Sequence, residues 1–82
     1  MDTIETILAI NPKNQKLVNK AIRHNYNYDK ANSLRDIASD NDDIKSYKKY
    51  DAICIREFDK YLDVMSELPK GQQKAIEKFI NQ

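Results

Sequence analysis

The sequence predicts an all-α protein: a single-domain small helical bundle of about five helices, organised around one long central helix over about residues 42–68. Three observations lead there. Gly71 is the one glycine among 82 residues, which argues against Gly-rich phosphate loops, tight hairpins and, more weakly, any strand-rich fold. The stretch from Asp42 to Leu68 contains neither Gly nor Pro, and Ile44, Tyr47, Cys54, Phe58, Tyr61, Met65 and Leu68 recur along it in steps of three and four, with Asp51 in the one slot that should be apolar. The two prolines, Pro12 and Pro69, fall where helical patterns stop and restart. A chain of this length buries roughly 60–65% of its unfolded surface, which gives a core with little margin.

Taken in order, Asp2 and Glu5 have the spacing of a capping box, and Ile4, Ile7, Leu8 and Ile10 form the stripe of a short first helix. Asn11-Pro12 ends it and restarts the chain, because Asn accepts a hydrogen bond from a first-turn amide and Pro suits the first helical position. A second helix over 12–24 places Leu17, Val18, Ala21 and Ile22 on one side and Lys13, Lys16, Lys20 and Arg23 on the other. Asn25-Tyr26-Asn27-Tyr28-Asp29 is poor in helix formers and reads as a turn ending in an N-cap. A third helix carries Ala31, Leu34, Ile37 and Ala38 and ends within Ser39–Asp43, whose acidic residues cap the central helix. Pro69 ends the central helix at Leu68, and a last helix buries Ala75, Ile76, Phe79 and Ile80 with Lys70, Lys74 and Lys78 opposite.

The central helix sets a packing problem. Some 27 residues make a rod of about 40 Å, whereas a compact domain of this length is only about 30 Å across. Either the helix breaks near Asp51-Ala52 or a second copy packs along it. Tyr50, Ile53, Ile55, Leu62 and Val64 widen its apolar arc to roughly 200°. A homodimer is therefore expected, with its seam at Tyr47, Asp51, Cys54, Phe58, Tyr61 and Met65. Asp51 inside that arc needs a basic partner on another helix or in a second subunit.

Composition narrows the function classes. Fourteen basic and 13 acidic side chains leave a net charge of +1, so no overall field draws the chain to nucleic acid or membrane. Charge is local instead: residues 11–35 hold six basic side chains and one acidic. The stripe of Lys13, Lys16, Lys20 and Arg23 suits an acidic protein surface or a nucleic-acid backbone, and Tyr26 and Tyr28 in the expected turn suit anchoring a partner. Tyr47-Lys48-Lys49-Tyr50 interleaves aromatic and basic residues, and its tyrosines fall in or beside the apolar stripe, where core packing is expected. His24 and Cys54 are each the sole residue of their kind, with no nucleophile motif around them, and Asp40-Asn41-Asp42-Asp43 lacks the spacing and glycine of a calcium loop. No catalysis, cofactor or metal is expected. One cysteine permits no internal disulfide, and MDTIETILAI carries neither a basic leader nor a membrane-length apolar run, so a cytoplasmic setting is expected.

Ser33-Leu34-Arg35-Asp36-Ile37-Ala38 resembles the opening helix of the helix-turn-helix in LacI-type repressors, where a Leu-x-x-Ile/Val-Ala run precedes the turn. The resemblance covers six residues and implies DNA binding by the helix that follows. It departs immediately afterwards, since Asp40-Asn41-Asp42-Asp43 replaces the small turn residue and Ile44 comes one position late. The expected role is thus a helical regulatory or protein-interaction module, with nucleic-acid binding through the basic stripe as the alternative.

Overall fold

A computed structural model of the chain describes residues 3–81. These residues form four α-helices and one short 3₁₀ turn: α1 (Ile4–Ile10), the turn Pro12–Asn14, α2 (Gln15–Asp40), α3 (Ile44–Ser66) and α4 (Lys70–Ile80). The all-α class holds, but the count of five helices is corrected to four, and the arrangement around a single central helix becomes a pair of long helices. The molecule is a rod of 45 × 24 × 16 Å with a radius of gyration of 14.6 Å, against about 12 Å for a compact domain of this length.

The correction lies at Asn25–Asp29, where no turn forms and α2 runs on for 26 residues. Asn, Tyr and Asp are weak helix formers, by only about 0.7 kcal/mol each relative to Ala, and contacts to α3 outweigh that deficit. The Tyr28 ring packs on Phe58 with centroids 5.2 Å apart, and the Asn25 side chain donates to Asp29 one turn further on, at 3.4 Å. α3 is also unbroken, passing Asp51-Ala52 without a kink residue. The length of α3 that would overhang a compact domain is covered by α2, which lies antiparallel along it. The contacts His24–Glu57, Tyr28–Cys54 and Arg35–Asp51 run in opposite chain directions, as an antiparallel pair requires. A helix-turn-helix instead crosses its helices at about 90–120°, so the likeness of residues 33–38 to that motif does not extend to the geometry.

The helix boundaries follow local chemistry. Asp2 lies outside the described residues, and Thr3 caps α1, its hydroxyl accepting from the Thr6 amide at 3.2 Å. The Asn11 side chain accepts from the Lys13 amide at 3.1 Å and Pro12 opens the 3₁₀ turn. Between α2 and α3 the amides of Asp42 and Asp43 donate to the carbonyls of Ser39 and Ala38, the paired closing bonds of a Schellman ending. That ending needs a left-handed residue, and Asp42 supplies it at φ 54° where glycine is the usual occupant. Asp43 then caps α3 by accepting from the Ser46 amide at 3.1 Å. Those hydrogen bonds, from the Ser46 side chain and backbone, hold the Asp43 carboxyl below its usual range.

The core gathers at one end of the rod. Ile7, Val18, Ala21, Tyr61, Val64, Met65, Leu68 and Ile76 form one buried cluster in which α1 and α4 close over the start of α2 and the end of α3. Fully burying Ile7 or Ile76 stabilises the fold by about 1.5–3 kcal/mol each. Gln72 is buried among them and ties three elements together: its amide donates to the carbonyls of Ile7 at 3.2 Å and Asn11 at 3.1 Å, and its oxygen accepts from Asn14 at 2.9 Å. It thereby satisfies carbonyls that the end of α1 leaves free.

Candidate functional site

Beyond this core, α2 and α3 form a two-helix arm with two unlike sides. Advancing about 100° per residue from the row His24, Ala31 and Ala38 that faces α3, Lys16, Arg23 and Lys30 fall to one side of α2, with Lys20 exposed at the near edge of that side, while Asp29, Asn32 and Asp36 fall to the other. On α3, Lys49, Arg56 and Lys60 share the side of Lys30. Between them runs a shallow groove of about 310 Å³, lined by Asn27, Lys30, Ala31, Leu34, Tyr50, Ile53, Arg56 and Glu57. Its floor is apolar and its rim basic. Lys49 extends the rim, its ammonium 5.4 Å from the Tyr50 ring centroid.

The carboxylate in the groove is turned inward. Glu57 is buried and its carboxylate lies 2.6 Å from Nδ1 of His24, with Arg56 at 3.8 Å on its outer oxygen. Burial alone would raise the Glu57 carboxyl, but the hydrogen bond and charge of His24, with Lys60 and Arg56 nearby, hold it below its ordinary value. His24 is thereby committed to fastening α2 to α3. Cys54 is buried close to the Tyr28 carbonyl, at 4.0 Å, and burial pushes its thiol upward, which leaves it a poor nucleophile at neutral pH.

The other side of the arm carries the second polar clasp. Arg35 donates to Asp51 at 2.7 Å and to the side chain of Asn32, so the carboxylate in the apolar arc of α3 finds its basic partner on the neighbouring helix. That hydrogen bond to Asp51 raises Arg35 further above its already high value. The guanidinium also lies 6.0 Å from the Tyr47 ring centroid.

The residues singled out from the sequence are therefore distributed as follows. Lys13, Lys16, Lys20 and Arg23 are exposed, with Lys13 on the 3₁₀ turn and the others on α2. Tyr26 is 64% exposed, whereas Tyr28 is half-buried against Phe58, because the two sit 200° apart on a continuous helix and do not share a turn. Cys54, Tyr61 and Met65 are buried within the chain; Tyr47 and Phe58 stay partly exposed, and Asp51 is paired with Arg35. Sequence reasoning missed Lys30, Lys49, Arg56 and Lys60 as parts of one basic rim. The signal for Lys30 was the uninterrupted spacing Lys16, Lys20, Arg23, Asn27, Lys30, hidden by the assumed turn.

Among the described residues there is no group of three or more His, Cys, Asp or Glu placed to hold a metal ion, and no helix long and apolar enough to cross a membrane. Compared with known proteins, the chain matches no family model, no curated protein and no solved structure.

Proposed function

We propose that this chain is a non-catalytic cytoplasmic regulatory module that binds a protein partner through the groove between α2 and α3. The observation that carries the reading is the groove's make-up: an apolar floor of Ala31, Leu34, Tyr50 and Ile53 between basic side chains on both helices. Such a site fits a partner helix or extended segment that alternates apolar with acidic residues. The apolar groups fill the floor and the carboxylates meet Lys30 and Arg56, a division of labour common in helix-in-groove recognition. A salt titration with a synthetic acidic amphipathic peptide tests it. Binding that weakens moderately with salt, and falls on both Arg56→Glu and Leu34→Ser, supports the reading; equal binding of a peptide with its apolar residues replaced by serine overturns it.

Nucleic-acid binding is the second reading, favoured by the continuity of the basic stripe from Lys16 on α2 to Lys60 on α3. Duplex DNA engaging that stripe would weaken steeply with salt, by roughly one power of salt concentration per phosphate neutralised. A mobility shift showing no DNA binding at low salt removes it.

A further inference from the structure

A second surface lies on the opposite side of the arm from the basic groove. On α3, Ile44, Ile55 and Leu62 are 69%, 59% and 49% exposed, and with Lys48, Asp51 and Phe58 they advance in alternating steps of four and three, the spacing of a coiled-coil seam. The stripe spans about 27 Å. It is turned only part of a turn from the buried row Cys54, Tyr61 and Met65, which α2 and the core already cover.

Two properties select the occupant. The stripe has the same spacing in both directions: reversed about residue 53, position 44 falls on 62, 48 on 58, and 51 on 55. The charges on and beside it are also segregated, with Lys48 in the stripe and Lys45 beside it in the first half of α3, and Asp59 and Asp63 beside it in the second, all exposed. We infer that the outer face of α3 pairs with the same face of a second copy, the two helices running antiparallel about a twofold axis near residue 53. In that register Ile44 packs on the partner's Leu62, and the stem of Lys48 crosses the partner's Phe58. The ammonium of Lys48 meets the partner's Asp59, and Lys45 meets the partner's Asp63. A parallel pairing would set lysine on lysine and aspartate on aspartate, so the charge order specifies the orientation as well as the partner. Ala52, small and exposed beside the axis, lets the backbones approach. Asp51 faces the partner's Ile55 with its charge already taken up by Arg35 at 2.7 Å. The isologous contact leaves the basic groove free, so the pairing stands or falls independently of what that groove binds.

Sedimentation equilibrium of the full chain across the micromolar range tests the inference, with circular dichroism confirming that each variant keeps its helicity. The wild type is expected to self-associate from its 9.6 kDa monomer. Lys48→Glu acts twice across the axis and is expected to raise the dimer Kd by about tenfold or more, and Asp59→Lys likewise. Combining Lys48→Glu with Asp59→Lys restores opposite charges in the antiparallel register, and the expected Kd returns to within a few-fold of wild type. A wild type that stays monomeric overturns the inference, and so does a double variant no tighter than the single ones.

Discussion

The two ends of the rod are held by different chemistry. At the base, four helical segments enclose a cluster of large apolar side chains, and the polar group within it, Gln72, has both its amide and its oxygen bonded. Along the arm, α2 and α3 meet through small buried residues, Ala31, Ala38 and Cys54, and through two polar clasps, His24–Glu57 and Arg35–Asp51. Large apolar residues of the arm, Ile37, Ile44 and Ile55, stay exposed. Small residues at a helix interface permit close approach but bury little surface, so the arm gains less from its own packing than the base does. The base keeps the chain folded, and the arm has apolar and charged surface left over for others.

The contrast can be broken in graded steps. Ile76→Ala in the base is expected to cost about 2–5 kcal/mol in urea unfolding, and no single truncation on the arm should match it. Gln72→Leu keeps the volume but strands the carbonyls of Ile7 and Asn11, for a loss of about 1–3 kcal/mol; amide exchange should then show α1 opening ahead of α4. Titration gives the third test. A Glu57 carboxyl held below its ordinary 4.5 contributes stability that is present above pH 4.5 and is lost as pH falls through the lowered folded value. Glu57→Gln should therefore be less stable than wild type at neutral pH and converge with it in strong acid. Cys54 reports on the arm alone. Alkylation faster than global unfolding allows would show α2 lifting from α3 while the base stays closed, and equal rates would erase the distinction between arm and base. The smallest effect is a gain: Asp42→Gly relieves a left-handed residue at φ 54° and should add about 0.5–1 kcal/mol.

Much of the base was legible from local signals. Asn11-Pro12 and Leu68-Pro69 mark real boundaries, and the helical period of 42–68 survives as α3 over Ile44–Ser66. The fusion of two expected helices into α2 was not legible, because the weak propensities of Asn25–Asp29 point to a turn and the contacts that override them come from Cys54 and Phe58, some 25–30 residues away in sequence. With α2 broken in two, the central helix needs a second copy for cover along Cys54, Tyr61 and Met65. With α2 whole, that row is internal and the exposed stripe lies beside it. The basic rim was half visible for the same reason: the phase of Lys16, Lys20 and Arg23 can be read on one helix, but which lysines of α3 join them depends on how two helices face each other. Gln72 did leave a trace, standing one turn before Ile76 on the buried side of α4, where a polar residue in apolar phase signals a bonded interior group.

The bonds of Gln72 have a mechanical consequence. They span 58 to 65 residues of sequence and fasten the first helix to the last, so both described ends of the chain leave the rod at its base. A fusion partner, a surface linkage or a neighbouring domain joined at either end would hold the molecule like a handle, with the arm and both of its faces pointing away from the point of attachment.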